Sequence, residues 1–337
     1  MKKLVLAVVG ATGAVGTELL KIIAERKIPY TELKLLASKK SAGTKITFEG
    51  KTYTVEETTE ESFRGVDAAL FAGGPASKQF GRAAAEMGCT VIDNSSTFRY
   101  EKDVPLVVPE VNPEALLGHQ KLIANPNCST ILLVTALWPL HKYAKVKRVI
   151  VSTYQACSGA GKEAMDELRT QSAEVLEGKE VHPEAFRYQI AFNLIPQIDV
   201  WVDDNYTKEE MKLVWETHKI MGDDSIGVTP VAAVRVPVFR SHCEAVYVET
   251  EKPVSVEKCR ELMQAEDYIV LQDDPENFVY PMPITSTDTD KTYVGRIRPD
   301  VVNDHALNMW ISFDQLRKGA ATNAVQILEK LLEMGEL

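Results

Sequence analysis

Lys3-Leu4-Val5-Leu6-Ala7-Val8-Val9-Gly10-Ala11-Thr12-Gly13-Ala14-Val15-Gly16 is the stretch that decides the fold of the first part of the chain. The run from Lys3 to Val9 is continuously apolar, the mark of a strand buried on both faces. It leads directly into three glycines spaced G-x-x-G-x-x-G. A helical pattern follows, with Val15, Leu19, Leu20, Ile22 and Ile23 on one side. Strand, glycine turn and helix form the setting that a dinucleotide fingerprint requires. Glycines permit the tight turn and let a pyrophosphate approach the helix N-terminus. The commoner spacing is G-x-G-x-x-G, so a glycine turn with no ligand stays open on this stretch alone.

The second strand, Leu33 to Ala37, ends in Ser38-Lys39-Lys40-Ser41. NAD enzymes usually place an acid near here to hold the ribose 2′-hydroxyl. Hydroxyls and two cations suit a 2′-phosphate instead, which favours NADP. A solvated basic loop is the plainer alternative.

Alternation continues through a strand at 68–72, a helix at 79–87 and a strand at 90–93. It predicts a parallel, doubly wound sheet over residues 1 to about 127. Gly73-Gly74-Pro75 breaks the chain at a strand end, where ligands bind in such sheets. From Val146 long strand-like runs appear at 146–154, 228–238, 245–250 and 309–313. They predict a second domain on a large mixed sheet. Polar helices are expected at 163–177 and 208–220, and an apolar-striped helix at 316–334. Residues 199–205 read as an exposed connection.

With 337 residues the chain has room for two domains, and its 45% hydrophobic content is that of an ordinary globular protein. A net charge of −10 argues against nucleic acid as a partner. No apolar run approaches a membrane span, and the N-terminus reads as a first strand, not a signal peptide. Five cysteines without regular spacing form neither a disulfide framework nor a metal site. These features imply a cytoplasmic location, no membrane association and no bound metal.

Asn125-Pro126-Asn127-Cys128-Ser129-Thr130 enters an apolar run, Ile131 to Leu140, that reads as a helix. A thiol at a helix N-terminus gains nucleophilicity because unpaired N–H groups favour its anion. A small buried cysteine is the alternative. Among six histidines His242 stands out, placed where a strand ends at a turn before the next strand. There it could face a cleft at a pKa near neutrality and serve as acid or base. His119, His141, His182, His218 and His305 read as structural or solvated.

Gly10 to Gly16, Asp93-Asn94-Ser95-Ser96-Thr97-Phe98-Arg99, Asn125 to Thr130, Ser152-Thr153-Tyr154-Gln155, Ser158-Gly159-Ala160-Gly161 and Arg235 to His242 together resemble the aspartate-semialdehyde dehydrogenases of bacterial type. The match runs in order from the first strand to the last helix. The resemblance implies NADPH-dependent reductive dephosphorylation of aspartyl-4-phosphate to aspartate 4-semialdehyde, a step of aspartate-family amino-acid synthesis. Cys128 would form an acyl thioester, His242 would serve as acid/base partner and Gln155 would orient the substrate. Arg235 would clamp the substrate carboxylate, Glu209 would face its ammonium, and Arg99, Asn127 and Lys212 would contact substrate or phosphate. The choice of Glu209 over Glu210 is open. NADP would be held by Gly10, Thr12, Gly13, Ala14, Val15, Ser38, Lys40, Ser41, Gly74, Ser158, Gly159 and Gln315. Arginine is frequent in the family where Lys39 and Lys40 stand, so cofactor preference is less secure than cofactor type.

The implied architecture is α/β, a Rossmann-like dinucleotide-binding domain over 1–127 and an α+β catalytic and dimerisation domain over 128–313. A C-terminal helix, about 314–337, would return to the first domain. The expected partners are the small-molecule substrate and further copies of the chain, as a homodimer or homotetramer. Two alternatives stand beside this reading: an N-acetyl-glutamyl-phosphate reductase, and an NADP-binding regulatory protein without turnover. The former typically flanks its cysteine with glycine and tyrosine, where this chain has Asn127 and Ser129.

Overall fold

The computed structural model describes residues 4–337. In chain order the elements are β1 (Leu4–Val9), α1 (Ala14–Glu25), β2 (Tyr30–Ala37), β3 (Lys45–Phe48), β4 (Lys51–Thr54), β5 (Glu56–Glu57), β6 (Ala68–Phe71), α2 (Pro75–Glu86), β7 (Thr90–Asp93) and β8 (Leu122–Ala124). Next come α3 (Cys128–Ala144), β9 (Val146–Gln155), α4 (Lys162–Leu176), α5 (Lys208–Met221), β10 (Gly227–Arg235), β11 (His242–Thr250), α6 (Val256–Gln264), β12 (Ile269–Leu271), α7 (Pro283–Ser286), β13 (Thr292–Pro299), β14 (Ala306–Phe313) and α8 (Thr322–Met334). They form two compact units, residues 1–127 with 320–337, and residues 128–319.

The first unit is built on a six-stranded sheet of order β5-β2-β1-β6-β7-β8, parallel throughout. The strand order reverses at β1, which lies between β2 and β6, and ligands bind at such a switch point. Residue 3, where the sequence starts the first strand, lies outside the described residues. Helix α1 buries Leu19, Leu20, Ile22 and Ile23, as its spacing predicts. Helix α8 joins the same core through Ala324, Val325, Ile327, Leu328 and Leu331. Its Glu329 takes a two-pronged ion pair from Arg26, with Nε and Nη2 at 2.9 and 2.6 Å. Helix α2 starts at Pro75, four residues before the sequence places it, because proline suits a first helical turn and Gly74 caps it at φ +82°.

The second unit carries a six-stranded mixed sheet, β10-β9-β11-β14-β13-β12. Its outer pairs, β10–β9 and β12–β13, are parallel, and the inner pairs are antiparallel. Along β9 and β11 one face is buried and the other is half exposed, the alternation of a sheet covered on one side. Helix α3 packs on the covered face. It is buried almost all round, runs to Ala144, and continues through Pro139, where the sequence reading stopped near Leu140. Burial on every side outweighs the hydrogen bond that proline removes.

Two boundaries differ from the sequence reading in ways that matter for the chemistry. Strand β10 ends at Arg235, because Pro237 cannot extend a ladder. Strand β11 begins at His242, three residues early, and His242 pairs with Phe313 of β14. His242 is therefore a strand residue and not a turn histidine. Near the C-terminus, the expected single helix over 316–334 is a π-helical turn, Arg317–Ala321, followed by α8. Asp314 Oδ1 accepts the N–H groups of Leu316 and Arg317 at that junction.

Gly16 provides a test of the first unit's packing. A methyl there would lie 2.1 Å from the Gly10 carbonyl oxygen and 2.8 Å from Ala11 Cα, both backbone atoms that cannot rotate away. Gly16→Ala should lower stability by about 1–3 kcal/mol, as overpacking does. The shift in urea midpoint, followed by circular dichroism, measures it.

Candidate active site

In the first unit, β1 hands over to α1 through Gly10 at φ +82°, and Gly10 and Ala11 N–H both donate to Leu36 O at 2.8 and 3.1 Å. Gly13 is the N-cap of α1, without a side-chain cap and with no acid in the first turn. Its open amides and dipole suit an anion. Gly73 and Gly74 stand after β6, the strand beside β1, at φ +108° and +82°. Ser38, Lys39 and Lys40 are exposed, and Ser41 closes their turn by donating its N–H to Ser38 O at 2.8 Å. The turn has two cations and no carboxylate, which fits a 2′-phosphate.

Arg99 is 6% exposed. Its Nε donates to Asn125 O and its Nη2 to Asn94 O, each at 2.9 Å. The guanidinium thus bridges the loops that follow β7 and β8. Asn125 Oδ1 accepts from Asn323 Nδ2 at 2.7 Å, which steadies the segment leading to Asn127 and Cys128.

In the second unit the covered face of the sheet collects the remaining candidates at one end. Cys128 opens α3, Gln155 ends β9, Arg235 ends β10 and His242 begins β11. The Ala156 peptide serves two of them. Its N–H donates to His242 Nδ1 at 3.1 Å, and its carbonyl accepts from Arg235 Nη1 at 2.7 Å. A methyl on Gly159 would sit 2.8 Å from Arg235 Nη1 and 3.2 Å from His242 Nε2. A charge on Cys128 is near enough to act on the Arg235 guanidinium. A methyl on Gly319 would lie 3.0 Å from Cys128 Cβ, so this glycine borders the thiol as well.

His242 is fully buried, and its pKa falls to about 3, first through burial and then through the neighbouring Arg235 charge. This corrects the expectation of a pKa near neutrality. Because Nδ1 accepts the Ala156 N–H, the neutral ring carries its proton on Nε2. Nε2 has no partner among the described residues. The histidine is a neutral donor at Nε2.

Helix α5 supplies the charged side of the site. Glu209, Glu210 and Lys212 are 5%, 7% and 8% exposed, so they are not a solvated face. Glu210 is committed to structure. Its carboxylate accepts from Thr207 N at 2.7 Å in a capping box and from Ala233 N at 3.0 Å. Glu209 Oε1 accepts from Gln155 Nε2 at 3.1 Å, and its Oε2 pairs with Lys212 Nζ at 2.8 Å. Lys212 also pairs with Asp199 at 2.8 Å. Burial pushes the lysine pKa down, but the charge of Glu209 and the hydrogen bonds Lys212 donates to Asp199 and Glu209 outweigh it and raise the pKa.

Ser158, Gly159 and Gln315 meet next to His242. Gln315 Nε2 donates to Ser158 Oγ, and its Oε1 accepts from Ser241 N at 2.8 Å. Ser241, immediately before His242, has φ +72°, a left-handed turn that aims the histidine. Asp199, Gly319 and Ala156 are members of this arrangement that sequence reasoning passed over. Asp199 carried a signal only as an acid in a loop; the other two carry no side-chain chemistry to read.

Residues 5–119 match the family model of the semialdehyde dehydrogenase NAD binding domain, and residues 137–318 that of the semialdehyde dehydrogenase dimerisation domain. The chain is 51% identical to an aspartate-semialdehyde dehydrogenase of Aquifex aeolicus, with 98% of each chain covered. The chain belongs to the aspartate-semialdehyde dehydrogenase family. It is 50% identical to the family member from Campylobacter jejuni, over 99% of this chain and 98% of that one. A solved aspartate semialdehyde dehydrogenase II of Vibrio cholerae, complexed with ASA, shares 46% identity with a TM-score of 0.95 over 99% of each chain. A family structure with NADP, from Candida albicans, gives a TM-score of 0.75 at 25% identity over 98% of each chain. These relatives support the dehydrogenase reading over the reductase and regulatory alternatives. Among the described residues no helix is long and apolar enough to cross a membrane.

The histidine's state can be read directly. With a folded pKa near 3 and an ordinary unfolded value near 6.5, the unfolded chain binds the extra proton first. His242 therefore leaves stability unaffected above about pH 6.5 and removes stability progressively as pH falls below it. Imidazole ¹⁵N resonances should show His242 protonated at Nε2 and not titrating between about pH 5 and 8. Titration within that range, with a free Nε2 lone pair, would contradict the geometry.

Proposed function

We propose that the chain catalyses the NADPH-dependent reductive dephosphorylation of aspartyl-4-phosphate to aspartate 4-semialdehyde, through an acyl thioester on Cys128. The observation that carries this reading is the gathering of Cys128, Gln155, Arg235, Glu209 and a donor-ready His242 at one end of the sheet, in a member of this family.

The geometry supports a distinct task for each residue. Cys128 reacts as its thiolate, the form favoured at the start of α3, and the sulfur attacks the acyl carbon while the carbon–oxygen bond to phosphate breaks and phosphate leaves. His242 donates a hydrogen bond from Nε2 to the substrate carbonyl oxygen as negative charge grows there. NADPH, when bound, would supply the hydride for reduction of the thioester. The carbon–sulfur bond then breaks, and the aldehyde leaves the Cys128 thiolate free. Arg235, anchored by Nη1 on Ala156, presents the rest of its fork to the substrate carboxylate. Glu209 faces the substrate ammonium, with Gln155 holding its Oε1. Glu210, bound to Thr207 and Ala233, has no such freedom. Arg99, Asn127 and Lys212 are assigned to substrate and phosphate. Lys212 begins that task already paired with Asp199 and Glu209.

Gly10, Thr12, Gly13, Ala14, Val15, Ser38, Lys40, Ser41 and Gly74 of the first unit would hold NADP. The uncapped start of α1 and the Ser38–Ser41 turn fit its phosphates. The Candida albicans relative solved with NADP supports that cofactor. The dimerisation-domain match supports a second copy of the chain as partner. None of the five cysteines is in a disulfide, which suits a reducing, cytoplasmic setting.

Run in reverse, wild-type protein given aspartate semialdehyde, phosphate and NADP should produce NADPH. Cys128→Ala should abolish turnover, and mass spectrometry of acid-quenched wild type should find an acyl adduct on the Cys128 peptide. Turnover without that adduct would remove the covalent route. Arg235→Lys keeps the charge but loses the fork, so KM should rise roughly 10- to 100-fold, more than kcat falls. An unchanged KM would place the carboxylate elsewhere.

A further inference from the structure

Glu244 is a buried acid for which the mechanism above has no task. It lies in β11 two residues after His242, so both side chains point to the sheet face that α3 covers. In the ladder it pairs with Thr153 of β9 on one side and Ile311 of β14 on the other. Gln155 and His242 stand one layer above, at the active-site end. The residue is 0% exposed, and neither carboxyl oxygen has a partner among the described residues.

An ionised carboxylate in that position would be buried without a hydrogen-bond donor, a desolvation cost that protonation avoids. The other acid of the site differs. Glu209 is held by Gln155 Nε2 and Lys212 Nζ, both favouring its anion. Gln155 also donates to Thr153 Oγ1 at 3.2 Å, the residue directly across from Glu244. One amide therefore connects the layer of Glu209 with the layer of Glu244. The ionisable groups on the covering elements are Cys128, His141, Lys142 and Tyr143 of α3 and Lys208, Glu209, Glu210, Lys212, Glu216, His218 and Lys219 of α5, with Arg235 and His242 at the strand ends. Of these, the Glu209 charge is the one that acts on Glu244, adding to burial to push its pKa well above the carboxylate range.

We propose that Glu244 is a positioning residue that holds the single proton of a Glu209–Glu244 carboxyl pair, leaving Glu209 as the lone anion that meets the substrate ammonium. Two neighbouring carboxyls cannot both ionise cheaply, and their surroundings decide which one keeps the proton. Here the dry, unpartnered acid keeps it and the hydrogen-bonded one gives it up. Loss of the proton at alkaline pH would put a second negative charge beneath Gln155 and His242, and so disturb the site. This inference rests on the assignment of Glu209 to the ammonium.

Glu244→Gln tests it, because the amide copies the neutral acid. The variant should keep kcat/KM within about 3-fold near neutrality and lose the alkaline fall that Glu244 ionisation causes, extending activity by about one pH unit or more. A loss of 100-fold or more in a folded E244Q protein, or a pH profile identical to wild type, would overturn the proposal. Infrared difference spectra give a second readout, independent of activity and of whether E244Q folds. Wild-type protein near pH 8 should show the C=O stretch of a buried neutral acid, and Glu209→Gln should move that band's disappearance to lower pH. Absence of the band near pH 8, or no response to E209Q, would also refute it. If wild type turns over no aspartate semialdehyde, the functional reading fails, while the infrared result still decides where the proton resides.

Discussion

One peptide group sets the geometry on which the second unit's chemistry depends. Ala156 gives its N–H to His242 and takes a hydrogen bond from Arg235 on its carbonyl. The two side chains approach from different strands and would otherwise repel once the imidazole gained a proton. Sharing one rigid peptide fixes their separation and the histidine tautomer together. Gly159 completes the device, since any side chain there would push against both. A neutral imidazole beside a buried guanidinium is the consequence, and with it a hydrogen-bond donor at Nε2.

Charge is managed differently a few residues away. Glu209 and Lys212 are buried, and the exposed Asp199 completes with them a chain of alternating signs. Each ion pair offsets a desolvation cost that either partner alone could not sustain. Glu210, next in sequence to Glu209, is withdrawn from this chain by its cap on Thr207, so one helical turn divides structural from chemical acids.

The first unit meets its task with backbone alone. Gly10 takes a left-handed turn, Gly13 starts α1 without a side-chain cap, and Gly16 lets the helix descend onto the strand. What remains at the helix start is a set of open N–H groups and a dipole, which suit an anion. The exposed turn after β2 adds two cations, Lys39 and Lys40.

Local sequence determined the parallel sheet of the first unit, the glycine turn, the mixed sheet of the second and the place of Cys128 at a helix start. Those features follow from periodicity and turn chemistry over spans of ten to twenty residues, and so they are legible without the fold. The tertiary structure decided the state of each group. His242 looked like a turn histidine until pairing on both sides of β11 drew it into the ladder and buried it. Glu209 and Glu210 are chemically identical on paper, and only the positions of Gln155, Thr207 and Ala233 separate them. Ala156, Gly319 and Glu244 gave no signal, since a backbone amide, a missing methyl and an acid in a strand acquire roles only from neighbours distant in sequence. Protonation, tautomer and partner are properties of an environment, and the environment exists only once the strands and helices have met.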